Sequence, residues 1–80
     1  MKYVLFVKDN CPFCVKAIEL LESKNLNYSV INFLPDQHGV LSEIKHAFNW
    51  QTVPMIILKD GKQTKFIGGY TDLAKELENE

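Results

Sequence analysis

The apolar positions of this chain fall into short blocks whose period changes along its length. Tyr3 to Val7 is an unbroken apolar run rich in β-formers, the pattern of a strand covered on both faces, and it is expected to lie centrally in a sheet. After Cys14 the period lengthens: Val15, Ile18 and Leu21, with Ala17 and Leu20, recur at helical spacing, while Lys16, Glu19, Glu22 and Lys24 fall mostly elsewhere. This helix is expected to end near Ser23 to Asn25. Asn25 suits the left-handed terminal position and Leu26 can pack back on the helix. Asn27 to Phe33 alternates, with interruptions at Ile31 and Phe33, and reads as a second strand parallel to the first. Strand, helix and strand make a right-handed βαβ unit.

Leu34 to Gly39 reads as a loop punctuated by Pro35 and Gly39. Val40, Leu41, Ile44, Ala47 and Phe48 mark a second helical face over about Val40 to Asn49, with Lys45 and His46 on its polar side. Gln51 to Pro54 leads into a strand over Met55 to Leu58. Asp60-Gly61 is the strongest hairpin signal and joins it to Thr64 to Ile67. Gly68 and Gly69 permit a sharp turn. Thr71 is expected to cap a last helix from Asp72 to about Asn79, with Leu73, Ala74 and Leu77 as its apolar stripe. The order is β-α-β-α-β-β-α: an α/β domain over residues 1–80, with a four-stranded mixed sheet flanked by three helices.

Composition narrows the function. Eighty residues make one small domain, 46% hydrophobic and 24% charged, ordinary values for a globular protein. A formal net charge of −1 argues against nucleic-acid or polybasic membrane partners. The opening apolar run stops at Lys8-Asp9, too short for the core of a signal peptide. No stretch approaches the length that spans a bilayer. A cytoplasmic setting is expected, where paired cysteines are more often catalytic than structural.

Both cysteines lie in Lys8-Asp9-Asn10-Cys11-Pro12-Phe13-Cys14, where the first strand gives way to the helix. If Cys11 opens the helix, the spacing brings both sulfurs to one side of its first turn. Pro12 would then occupy the first helical position, where its missing N–H is no loss. Cys11 at the N-cap would face unpaired backbone N–H groups and the positive end of the helix dipole, which favour a thiolate. Half ionisation at neutral pH requires the thiol pKa to fall by roughly 1.5 units from about 8.5, or about 2 kcal/mol. A helix terminus supplies ~0.3–1 kcal/mol, so N–H hydrogen bonds and Lys8 should share the work. Cys14, buried in the first turn, should keep a higher pKa and act second. Zinc needs four ligands, and only His38 and His46 remain, at no recognisable spacing. A purely structural disulfide would close too small a loop to restrain the unfolded chain much.

Taken with Lys8 and the CPFC motif, Thr52-Val53-Pro54 and Gly68-Gly69-Tyr70-Thr71-Asp72 stand in the order and near the spacing of the glutaredoxin family, which the chain resembles over essentially its whole length. The resemblance implies a thioredoxin-like fold, a cis Pro54 beside Cys11 and a groove for glutathione. It assigns Cys11 and Cys14 to catalysis, and Lys8, Phe13, Thr52, Val53, Pro54, Gly69, Thr71 and Asp72 to glutathione. Lys8 would meet the glycyl carboxylate, and the Val53 backbone would pair with the cysteinyl part as an added strand does. The N–H groups of Thr71 and Asp72 would hold the γ-glutamyl carboxylate, with the Asp72 side chain on the ammonium. Phe13 replaces the commoner tyrosine of CPYC. The family's second contact to the glycyl carboxylate has no secure counterpart, Gln51, Lys45 and His46 being candidates. Trp50 reads as core or rim packing, and Lys59, Lys62 and Lys65 as a solvated hairpin face.

The function implied is a dithiol glutaredoxin, a thiol-disulfide oxidoreductase that reduces protein disulfides and glutathione mixed disulfides. It would bind no metal or resident cofactor and use glutathione as co-substrate. Partners would be disulfide-containing or glutathionylated proteins, ribonucleotide reductase among the clients, and the protein is expected to be a monomer. One rival is a redoxin reduced by thioredoxin reductase and serving ribonucleotide reductase; the Thr71-Asp72 pair favours the glutathione reading. Another is a carrier in which two chains share an iron–sulfur cluster through Cys11 and glutathione thiols. Pro12 weighs against it, since cluster binders of the family tend to a more open turn.

Overall fold

A computed structural model describes residues 1–78. Strand β1 (Lys2–Lys8) lies between two neighbours, parallel to β2 (Tyr28–Phe33) and antiparallel to β3 (Met55–Asp60). β4 (Gln63–Gly68) completes the sheet on the far side of β3, giving the order β2-β1-β3-β4. Helices α1 (Pro12–Ser23), α2 (His38–Ala47) and α3 (Tyr70–Glu78) fill the expected places.

Alternation along β1 divides its apolar run between two faces. Tyr3, Leu5 and Val7 join Ile56 of β3, Cys14, Ala17 and Leu21 of α1, and Leu73 and Leu77 of α3 in one buried cluster. Val4 and Phe6 point the other way, where Phe6 meets Phe33 at 6.0 Å between ring centroids and stands opposite Met55. Leu21 and Leu73 have no exposed surface; truncating either to alanine is expected to cost about 2–5 kcal/mol.

The end of α1 follows the sequence expectation. Asn25 takes φ 55°, and the Leu26 N–H donates to the Leu21 carbonyl at 3.1 Å. Several expectations change. Val15, placed on the apolar stripe, is 53% exposed, because α1 buries the face of Cys14, Ala17 and Leu21. The second helix starts at His38 rather than Val40, led in by a 3-10 turn over Pro35–Gln37 in which the Gln37 side chain accepts the Leu34 N–H. It stops at Ala47, and Asn49 takes φ 54°. Of its apolar face only Leu41 is buried; Val40 and Phe48 are exposed, and Phe48 stacks on Phe66 at 5.3 Å.

The hairpin turn is Gly61-Lys62, one residue later than expected, with Asp60 paired to Gln63. Gly61 has φ 62° at the first central position, where a type II′ turn favours glycine. Lys65 is not simply solvated: its Nζ reaches Glu76 of α3 at 2.6 Å. The last helix begins at Tyr70, so Thr71 lies within its first turn and is not the cap. Its expected end at Asn79 falls outside the described residues.

Candidate active site

The cysteines sit where β1 hands over to α1. Asn10 takes φ 58°, a conformation asparagine tolerates better than most residues, and Cys11 becomes the N-cap in extended backbone with Pro12 at the first helical position. The two sulfurs are joined as a disulfide with Cα atoms 5.2 Å apart. Cys11 Sγ accepts the Cys14 N–H at 3.2 Å, the bond that would stabilise an anion on this sulfur in the reduced pair. Cys14 is buried, whereas Cys11 is partly open. Access and N–H donation thus fall on the same sulfur.

The Val53–Pro54 bond is cis, and the Val53 carbonyl oxygen lies 3.8 Å from Cys11 Sγ. Pro54 is buried beneath this bend while Val53 packs against the core from the rim. Here the chain has not yet entered β3, which starts at Met55, so the Val53 backbone lies outside the sheet ladder.

At the other end stands the N-terminus of α3. The Asp72 carboxylate accepts the Gly69 N–H at 2.9 Å, closing the turn back onto the helix start. This arrangement demands glycine at position 68. Gly68 has φ 120°, and a Cβ there would stand 2.6 Å from Asp72 Oδ2. The cap is therefore reversed from the sequence expectation: Asp72, third in the helix, reaches back, and Thr71 presents a first-turn N–H.

Of the residues assigned to glutathione, Phe13, Thr52, Val53, Pro54, Gly69, Thr71 and Asp72 line one groove of about 300 Å³. Lys8 does not. It lines an adjacent depression of about 320 Å³, together with Cys11 and Cys14. Trp50 and Tyr70 also line the groove. The Tyr70 ring lies 6.1 Å from that of Phe13, and Lys16 Nζ stands 5.2 Å from the Phe13 ring centroid. Trp50 packs edge-on against Phe66 at 5.2 Å, so the rim role read from sequence is the one it takes, but the rim is that of the groove itself. Its place next to Thr52-Val53-Pro54 was the available signal.

Lys45 is held below its usual pKa of 10.5, first by partial burial and then by the charge of Lys8. The two cations share one electrostatic neighbourhood, and Gln51 and His46 are exposed. Among the described residues there is no group of three or more His, Cys, Asp or Glu side chains placed to hold a metal ion. No helix among them is long and apolar enough to cross a membrane.

An N-capped Cys-x-x-Cys beside a cis-proline bend, on a mixed sheet flanked by three helices, defines a thioredoxin-like protein. Residues 3–62 match the family model for glutaredoxin. Glutaredoxin-1 of Gallus gallus is 36% identical over 83 residues, covering 92% of this chain and 71% of that protein. A probable glutaredoxin of Acanthamoeba polyphaga mimivirus is 36% identical over 85 residues, covering 95% and 77%. The chain spans only 28% of the bifunctional monothiol glutaredoxin-S16 of Arabidopsis thaliana, at 31% identity over 98% of its own length. Among solved structures, glutaredoxin 1 of Francisella tularensis superposes with a TM-score of 0.73 at 24% identity, covering 99% of this chain and 98% of that one. A buckwheat glutaredoxin–glutathione complex gives 0.79 at 22%, covering 96% and 68%. The chain belongs to the glutaredoxin family. It is a thiol-disulfide oxidoreductase carrying the dithiol form of the motif, Cys11-Pro12-Phe13-Cys14.

Proposed function

We propose that this protein draws its reducing equivalents from glutathione, with Cys11 as nucleophile and Cys14 as resolving thiol. The observation that carries the reading is the position of Cys11 Sγ: at a helix N-terminus, accepting the Cys14 N–H, and 3.8 Å from the Val53 carbonyl at the edge of the groove. The reduced Cys11 thiolate attacks a glutathione mixed disulfide in line with its S–S bond. A Cys11–glutathione bond forms and the other thiol departs as thiolate. A second glutathione then attacks, releasing oxidised glutathione and restoring Cys11.

The groove suits a tripeptide with charged ends. First-turn N–H groups of Thr71 and Asp72 can hold the γ-glutamyl carboxylate, helped by the helix dipole. The Asp72 carboxylate spends one acceptor site on Gly69 and keeps others for the ammonium. Val53 offers its unladdered backbone to the cysteinyl part, and Lys8, with Lys45 close enough to feel its charge, supplies the cationic neighbourhood for the glycyl carboxylate. The buckwheat protein of the same fold was solved with glutathione, which supports this reading. A cytoplasmic monomer serving glutathionylated or disulfide-bearing proteins, ribonucleotide reductase among them, is the setting that goes with it.

Turnover with glutathione and glutathione reductase, compared with turnover with NADPH and thioredoxin reductase, tests the proposal. The glutathione system should be the faster, Cys11→Ser should abolish activity, and Cys14→Ser should retain deglutathionylation. Preference for thioredoxin reductase would move the protein to the rival redoxin class.

A further inference from the structure

We propose that the depression between α1 and β2 seats the internal segment of a protein substrate flanking its attacked cysteine, an aliphatic side chain of that segment packing on Val15 and Val30. The inference rests on the reading that glutathione occupies the other groove, reaching this depression only with its glycyl end at Lys8, and it assigns protein disulfides the part of the depression beyond Lys8.

The two depressions differ in what they can recognise. The groove at Thr71 and Asp72 offers handles for a free carboxylate and a free ammonium, and neither cysteine lines it. A segment in the middle of a protein chain brings neither terminal group. The second depression is lined by both Cys11 and Cys14, with Val15, Ile18 and Val30 as apolar wall and Asn10 and Asn32 among the polar groups. Those are the features an internal segment can use: aliphatic contact for a side chain, and amides for its backbone.

Val15 is the pointed observation. It directly follows Cys14 but lies off the face that α1 buries and is 53% exposed, and Val30 across the depression is 40% exposed. A β-branched residue is no favoured helix former, and here it gains little from burial. At the rim near them the Asn32 side-chain amide donates to Asp9 Oδ1 at 3.1 Å.

The chemistry ends in this depression. The Cys11 thiolate attacks one sulfur of the protein disulfide, a Cys11–protein S–S bond forms, and the second protein sulfur leaves as thiolate. Cys14 then attacks Cys11 Sγ. The bond to the protein breaks, its sulfur departs as thiolate and takes up the proton Cys14 gave up. The Cys11–Cys14 disulfide remains, and two electrons have passed to the protein.

The test uses the double variant Val15→Gln, Val30→Thr, which keeps side-chain bulk at both exposed positions. Its kcat/KM for a cyclic disulfide peptide with leucine beside one cysteine should fall about tenfold. The peptide with serine in that place should be a poor substrate for both proteins. Turnover of the mixed disulfide of glutathione and β-mercaptoethanol should stay within twofold. Equal loss on both substrates, or no loss on the leucine peptide, would overturn the proposal. So would sedimentation showing that the wild type self-associates through these two residues. Failure of the wild type itself on the small mixed disulfide would sink the glutathione reading. Should the double variant not fold, Cys14→Ser trapped with the leucine peptide decides: amide shifts should concentrate at Val15, Ile18, Val30 and Asn32, and shifts confined to residues 52–54 and 69–72 would refute the seat.

Discussion

The two depressions flanking the disulfide are nearly equal in size, about 300 and 320 Å³, but are built in opposite ways. One is made largely of backbone held in special conformations: a cis proline bend, a glycine at φ 120° and a helix start closed by its own aspartate. The other is walled by side chains of α1 and β2, whose backbones are regular, and is closed at one end by the β1–α1 loop, where Asn10 takes φ 58°. Backbone donors are precise and tolerate few replacements at the glycines and proline that pose them, whereas a wall of exposed valines can be altered with little cost to the fold. Demands on a small charged ligand and on varied protein surfaces divide naturally along that line.

Breaking the backbone-built side should have the largest effect. Gly68→Ala brings a Cβ to 2.6 Å from the Asp72 carboxylate at a φ that L residues rarely adopt. Thermal unfolding should show a loss of about 1–3 kcal/mol from local strain, and glutathione turnover should drop with it. Asp72→Ala removes the acceptor of the Gly69 N–H. Denaturant titration should show a cost of about 0.5–2 kcal/mol, as for other helix-start caps, with KM for glutathione rising more than kcat falls.

Trp50 sharpens the comparison from the wall of the same groove. Its indole packs on Phe66 and lies 3.5 Å from where a Gly69 Cβ would stand. Trp50→Ala should raise KM for glutathione severalfold, and Trp50→Phe should restore most of it. As the only tryptophan, it should change its emission when glutathione is added to the reduced protein, and an unchanged spectrum would place the ligand elsewhere. The smallest effect concerns the cations. Because the Lys8 charge lowers the Lys45 pKa, Lys8→Gln should let it rise toward 10.5, with burial still holding it somewhat below, as NMR titration of the ammonium would read.

Much of this was legible in the residues. The apolar run Tyr3–Val7, the alternation of β2 and the Cys11-Pro12 helix start fall where local pattern places them, because each is decided within a few residues. Asn25 was likewise readable as a left-handed terminus. The misses were those of neighbourhood. Val15 obeys helical spacing, but which part of an apolar stripe is covered depends on where the sheet lies. Thr71 is a good cap by residue type, yet Asp72 three residues beyond Gly69 closes that turn. Lys65 looked solvated until α3 brought Glu76 beside it.

By itself, then, the sequence determined the order of elements, the helix start at Cys11 and the chemistry of the paired thiols, all short-range matters of φ/ψ preference, periodicity and N–H donation. Tertiary structure alone decided that Trp50 and Tyr70 join residues 13, 52–54, 69, 71 and 72 in one groove while Lys8 and both sulfurs open on another. The reason is geometric: the pairing of β3 with β1 and the seating of α1 and α3 on one face of the sheet bring together segments that are distant along the chain.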